Sequence, residues 1–304
     1  MGGLIMPRWL IVILVLFVGF CLLSMAAFIY LPLILQGFVP KVGTVLVYEM
    51  EEVKPRVDAA LLAEKTVAAI NLRLKSLPWS LGEARVIEGN RIEVGVFGND
   101  PSNVEKVAES IQFSGTLEFR IVANMHKHKE AIEIAKNESK KMVYYDSKGE
   151  WSARWIPVNK NERFNPQENL VRSRTIKGQE YFEVLVVRDL YDVTGDFLAY
   201  ARPSSDESGK PAVFFTFNSK GGMLFGELTG DNVPGGNPEF KNQLGIILNG
   251  VLYSAPYILT TISDQGQITG NFTQQEVDQI VSCLNAGALP VNLRKVEERS
   301  MGKK

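Results

Sequence analysis

The chain has 304 residues, with 33 Lys and Arg against 34 Asp and Glu, a net charge of −1, and 45% of its residues apolar or aromatic. That length and apolar content allow two packed domains, and the charge balance gives no electrostatic basis for a nucleic-acid partner. The two cysteines, Cys21 in an apolar run and Cys283 in a helical pattern, lie too far apart for an intradomain disulfide.

No charged residue occurs from Trp9 to Pro40. A bilayer core about 30 Å thick needs about 20 apolar residues in helical form, so residues 9–36 can span one and contact membrane lipid. A cleaved signal peptide is the competing reading, with Ser24-Met25-Ala26 as its cleavage site. The apolar run continues through Phe28, Ile29, Leu31 and Leu35, which is longer than a signal core and favours an uncleaved anchor over 1–40. Cys21 follows Phe20, which does not suit lipid attachment. Arg8 before the span votes weakly for a cytoplasmic amino terminus, with residues 41–304 on the far side of the membrane.

The range 41–123 reads as strand, helix, strand, strand, helix, strand. Thr44–Met50 is a strand, and Arg56–Leu77 is a helix with Val57, Leu61, Val67, Ile70, Leu74 and Leu77 on one side. Arg85–Glu88 and Arg91–Phe97 form a hairpin over Gly89-Asn90. Ser102-Asn-Val-Glu105 is a capping box that opens a helix, and Leu117–Val122 is the closing strand. This is a split βαβ order, which predicts a ferredoxin-like βαββαβ base.

Residues 124–180 read as a helical and loop insertion. His126–Lys141 is an amphipathic helix whose two histidines, His126 and His128, point to different faces and do not share a metal. Trp151, Trp155 and Phe164 sit among polar residues with Pro157 and Pro166. They are either local anchors of an ordered loop or an exposed aromatic patch.

The range 181–299 reads as an α+β head, followed by a tail over 300–304. Tyr181–Val187 and Ala212–Phe217 are strands, and Asn218 or Ser219 caps a helix containing Gly221, Gly222 and Gly226, which tertiary packing must hold. Leu244–Leu248 and Val251–Ser254 flank Asn249-Gly250, a type I′ hairpin signal. Gly266–Phe272 is a short strand. Thr273-x-x-Glu276 opens a helix with Val277, Ile280, Val281 and Leu284 on one face, ended by Gly287 and Pro290.

Gly221-Gly-Met-Leu-Phe-Gly-Glu-Leu-Thr229, Leu244-Gly-Ile-Ile-Leu-Asn-Gly-Val-Leu-Tyr-Ser-Ala-Pro256, Gly266-Gln-Ile-Thr-Gly-Asn-Phe-Thr273, Leu284-Asn-Ala-Gly-Ala-Leu-Pro290 and Val296-Glu-Glu-Arg299 together resemble the head of the first extracytoplasmic domain of the SecD family. The base resembles that family's first part, whose opening strand follows a D-L-x-G-G motif. Here those positions read Pro40-Lys41-Val42-Gly43-Thr44, without the aspartate and with one glycine. The resemblance implies a protein-export membrane subunit that works beside the Sec translocon and holds emerging polypeptide with its head. Its proton-coupled helix bundle would follow Arg299, so the chain is expected to act without that bundle.

No nucleotide, zinc-protease, redox or nucleophile-elbow motif is found, and the glycines at Gly230, Gly235 and Gly236 lack the strand and Lys-Ser/Thr of a phosphate loop. The expectation is a non-enzyme with no cofactor and no metal. A strand carrying Phe214, Phe215 and Phe217 places alternate rings on opposite faces. These three, with Phe225, Tyr253 and Tyr257, are the candidate polypeptide-binding residues, although core packing is the alternative for each. Partners are then unfolded or translocating polypeptide and SecD, SecF and SecYEG-type translocon subunits. The alternatives are an envelope scaffold that kept the fold without the export role, or one part of a split SecD.

Overall fold

The computed structural model describes residues 43–51, 58–77, 82–88, 90–98, 100–160, 162–176, 178–234 and 241–301. The expected membrane span, Gly89 and the glycine pair 235–236 lie outside the described residues. Among those described, no helix is long and apolar enough to cross a membrane.

The base contains β1 (Gly43–Met50), α1 (Ala59–Ser76), β2 (Gly82–Ile87), β3 (Arg91–Phe97) and α2 (Pro101–Gln112). Its fourth strand comes from the far end of the chain: β15 (Leu293–Met301) pairs along the whole of β1, giving the antiparallel order β15-β1-β3-β2. The βαββαβ pattern is complete, but Leu117–Val122 is not its last strand. That segment, β4, is buried on both faces and suits the middle of another sheet. The true closing strand is a charged edge, with Arg299 pairing to Glu93 at 2.7 Å and Arg294 to Glu49. Charged edges resist unwanted pairing. Their lack of apolar pattern also hides them from a reading of hydrophobic period.

Within the base, α1 is capped by Asp58, whose Oδ1 accepts from the Ala60 N–H at 3.0 Å. Its buried stripe runs through Ala63, Thr66, Ala69, Ile70, Arg73 and Leu74. Leu61, expected inward, is 49% exposed. The α2 helix begins at Pro101 behind an Asp100 cap, two residues ahead of the expected Ser102 cap. Proline at the first helical position costs no hydrogen bond there.

Everything between α2 and β15 is inserted into the base. The expected insertion 124–180 contains more strand than helix: α3 (Lys129–Asn137) is followed by β5 (Val143–Tyr145), β6 (Trp151–Pro157) and β7 (Val171–Ile176), which join β8 (Gln179–Val187). The polar residues that made β6 look like a loop are used: Arg154 bonds Glu118 of β4 at 2.6 Å, while Ala153 and Trp155 point inward. Trp155 donates its ring N–H to the Tyr144 hydroxyl at 3.1 Å, so the tryptophan is an anchor.

The resulting sheet runs β13-β12-β4-β8-β6-β5, with β12 as Leu244–Leu248 and β13 as Val251–Ser254, and with β9 (Val193–Thr194) beside β4. A parallel bridge between Val158 and Leu252 curls it around Val122, Ile156, Val184, Val186, Ile247, Leu252 and Ala255. Alternate residues face the opposite side, where Phe119, Ile121 and Leu185 meet a second sheet, β10 (Leu198–Ser205), β11 (Pro211–Phe217) and β14 (Gln265–Ile268). That core is completed by α4 (Ser219–Gly230) and α5 (Gln274–Ala286). The Asn249-Gly250 hairpin has positive φ at both residues, 50° and 74°. The capping box of α5 is formed in both directions, Thr273 N–H to Glu276 at 2.7 Å and the Glu276 N–H to Thr273 Oγ1 at 3.2 Å.

Base and head meet around the buried Arg73 side chain, beside a hydroxyl contact between Ser76 of α1 and Ser282 of α5. Arg73 of α1 is 0% exposed. Its guanidinium donates to the carbonyls of Ser110, Ser114 and Gly287, each at 2.9 Å, and to that of Phe113. Those carbonyls lie at the C-terminal ends of α2 and α5, where helix dipoles concentrate negative charge. Burial holds the Arg73 pKa below its ordinary value, with the nearby Cys283 opposing. Gly115 stands against it at φ +75°, and a Cβ there would lie 2.6 Å from Arg73 Nη2. The Asn249 side chain fixes the same loop, its Oδ1 accepting from Ser114 Oγ at 2.8 Å and Gly115 N at 2.9 Å.

Replacing Arg73 by Met leaves buried carbonyls without donors and should cost about 3–5 kcal/mol, read by chemical denaturation. Gly115→Ala should cost about 2 kcal/mol in the wild-type background and less in Arg73→Met, because the clashing group is gone. Equal costs in the two backgrounds would dismiss the contact.

Candidate functional site

The strand β11 alternates: Val213, Phe215 and Phe217 point into the core, while Phe214 and Thr216 lie on the outer face. Phe215, Phe217 and Phe225 are 1%, 5% and 2% exposed, and with Phe119 they form a cluster with ring centroids 5.0–6.4 Å apart. These three candidates are core residues and present no surface to a client, which corrects the expectation for them. Helix α4 brings Phe225 into the cluster by close approach: a Cβ on Gly221 would sit 2.5 Å from the Phe197 Cβ. This is the packing that holds a glycine-rich helix.

The remaining three reach the surface in different places. Phe214 is half-buried under the Arg202 guanidinium, which lies 4.3 Å from its ring centroid. Tyr253 stacks on Phe272 at 5.4 Å and lines a cleft of about 280 Å³ with Glu162, Ser254 and Thr269. Burial raises the pKa of both Tyr253 and Glu162, the latter against a hydrogen bond from the Ala255 N–H. Tyr257 is 46% exposed and donates to Glu168 at 3.1 Å, and it does not line that cleft. A larger polar groove, about 980 Å³, runs between α2 and α5 and is lined by Asn103, Lys106, Glu109, Gln275 and Gln279.

Charges on the sheet surface are mutually matched. Glu118 accepts from Arg120 and Arg154 at 2.6 Å, and both guanidinium groups lie near the Trp151 ring. Burial pushes the Glu118 carboxyl up, but the two arginines outweigh it and leave its pKa low. Asp192, 2.8 Å from Arg120, is pushed to about 6 by burial that the arginine only partly offsets.

The two histidines precede helix α3 instead of lying on it. His128 is its N-cap, and its Nδ1 accepts from the Asn124 N–H at 3.2 Å. Asn124 also donates to Asn242 at 2.8 Å, and Asn242 to the Asn232 carbonyl at 2.9 Å, so buried amides join the start of α3 to the end of α4. Among the described residues, no group of three or more His, Cys, Asp or Glu side chains could hold a metal. Sequence reasoning missed Arg73, Asn285 and the Asn249 side chain. The available signal for Arg73 was a charge three residues after Ile70, inside the apolar stripe of α1.

These features define a class: a βαββαβ base carrying an inserted α+β head. Residues 168–291 match the family model described as SecDF, P1 head subdomain. Over 134 residues the chain is 36% identical to the protein translocase subunit SecD of Rickettsia conorii, covering 44% of this chain and 24% of that protein. It is 41% identical over 111 residues to SecD of Rhodobacter capsulatus, covering 36% and 19%. The chain thus spans about a quarter or less of the length of the curated relatives it matches. A crystal structure of SecDF in super-membrane-facing form aligns with a TM-score of 0.58 at 24% identity, over 86% of this chain and 32% of that one. A structure of "a membrane component SecDF that enhances protein export" aligns at 0.55 and 22% identity, over 83% and 98%. Residues 168–291 are thus similar to the SecDF P1 head subdomain, and the described fold is similar to that of the SecDF structures.

Titration follows from the burial of His128. Its pKa falls from 6.5 to about 4, chiefly through burial and then through Lys127. A depressed folded-state pKa contributes stability above pH 6.5 that is lost as pH falls toward 4. Asp192, raised to about 6, acts in the opposite sense, its contribution being lost as pH rises from 3.8 to 6. His128→Asn keeps an acceptor and removes the titration. Acidification from pH 6.5 to 4 should therefore destabilise the wild type more than the variant, by on the order of 2 kcal/mol after solvent screening. Parallel pH profiles would contradict this.

Proposed function

We propose that this protein acts in protein translocation, with the head engaging unfolded polypeptide on the extracytoplasmic side of the inner membrane and residues 9–36 serving as its lipid-embedded tether. The observation that carries the reading is the match of residues 168–291 to the SecDF P1 head subdomain, in a chain whose base and head have the fold of SecDF structures. The described residues support a receptor more than a catalyst. Their outward-facing features are a half-buried aromatic under an arginine, a tyrosine-lined cleft and a polar groove, each suited to weak and sequence-tolerant contact with an extended chain. Translocon subunits of the SecF and SecYEG type are the partners this role requires, and no cofactor enters it.

A photo-crosslinking residue placed at Phe214, Tyr253 or Tyr257 tests the role in cells whose export is stalled on a secretory precursor. Tyr145, 65% exposed on the far sheet, is the control. Precursor adducts at one or more head positions, several-fold above Tyr145, are expected. Adducts to an envelope assembly with none to precursor would select the scaffold role instead.

A further inference from the structure

The head sheet has two edges, and they are built differently. On β10, Ala201 turns its main chain away from β11, and Asn285 of α5 covers it. The Asn285 Oδ1 accepts from the Ala201 N–H at 2.7 Å, and its Nδ2 donates to the Ala201 carbonyl at 2.9 Å. Two residues further on, Pro203 has no N–H to offer. A side-chain amide and a proline together close that edge to any added strand.

The opposite edge, β14, has neither device. The Phe217 N–H donates to the Asp264 carbonyl at 2.9 Å, and Phe215 pairs with Gly266 and Val213 with Ile268. Hydrogen-bonded and non-bonded pairs alternate in an antiparallel ladder, so Gln265 and Gln267 direct their main-chain N–H and C=O groups away from β11. Among the described residues no hydrogen bond reaches those outward groups. The side chain of Gln267 bonds Ser204 Oγ at 3.0 Å across the outer face of the sheet, which leaves the edge itself uncovered. The segment Gln265-Gly-Gln-Ile268 contains no charge and no proline. Where β14 ends, Thr269 and Phe272 line the cleft that holds the Tyr253 ring, so the open ladder leads directly to the aromatic stack.

We propose that β14 takes an extended polypeptide as an added strand, bonded through the outward main-chain groups of Gln265 and Gln267, with one side chain seated in the Tyr253–Phe272 cleft. The inference deepens the proposed function and rests on it: main-chain pairing gives affinity without sequence demand, as a receptor for many unfolded clients needs. An open N–H/C=O ladder is complementary to peptide main chain and to little else. The neighbouring edge shows that this fold closes a ladder where pairing is not used.

The test uses the full chain in detergent micelles and a short Thr-Val repeat peptide in two forms, one unmodified and one N-methylated at alternate residues. Gln267→Pro removes one outward N–H while sparing the bonds to β11, a place where an edge strand accepts proline. The unmodified peptide should bind and perturb the amide resonances of residues 265–269. N-methylation and Gln267→Pro should each weaken it at least about tenfold. Equal binding of both peptide forms by wild type overturns edge pairing, whether or not the proline variant folds, and leaves polypeptide binding standing. Absence of binding to the repeat peptide and to an unfolded secretory precursor overturns both readings. Self-association that disappears in Gln267→Pro would assign the edge to a second copy of the chain and overturn the proposal.

Discussion

The described fold depends on one buried cation with no carboxylate beside it. Arg73 satisfies four main-chain carbonyls from three separate places: the end of α2, the Ser114 loop and the end of α5. The Ser114 carbonyl also accepts from the Leu289 N–H, whereas those of Phe113 and Gly287 stand just past helix ends, where main-chain acceptors lack an intrahelical donor. A guanidinium supplies several donors in a fixed plane and stays charged, which lysine does not match. Its desolvation is compensated by hydrogen bonds and by two helix ends whose dipoles favour positive charge. Gly115 at φ +75° and the Asn249 side chain shape the loop that receives it, so a hairpin of the head and a helix of the base are tied to one group.

The topology explains why this junction matters. The base sheet cannot close until β15 returns to β1, and β15 follows the whole head in sequence. The head is therefore an insertion whose two connections, Phe113–Thr116 and Gly287–Leu289, run side by side, linked by the Leu289 N–H to the Ser114 carbonyl at 2.8 Å. Arg73 bonds both connections. A load carried by the head reaches the base through these two strands of chain, the Arg73 side chain and the contact of α1 with α5.

Much of this architecture is legible in the amino-acid sequence. The first and third base strands, the Asn249-Gly250 turn and the Thr273 capping box carry local chemistry that leaves few alternatives, and each appears where its residues place it. What is not legible depends on partners distant along the chain. The apolar period of Leu117–Val122 identifies a strand and not its sheet, and the charged Leu293–Met301 has no apolar period at all. The rings of Phe215, Phe217 and Phe225 look the same in sequence whether they face core or solvent. Only the register of β11 and the close packing of α4 decide it. Arg73 and Asn285 are used through main-chain carbonyl and amide groups, which no side-chain pattern announces.

A receptor for extended chains needs a rigid frame behind a permissive surface, and the central claim is that base and head form that frame as one cooperative unit. Native-state hydrogen exchange in increasing denaturant measures this directly. The account predicts that amides of Leu46 and Val47 in β1 and of Ile280 and Leu284 in α5 converge on a single opening free energy, because neither part keeps its structure once the Arg73 junction opens. Release of the α5 amides several kcal/mol before those of β1 would contradict it.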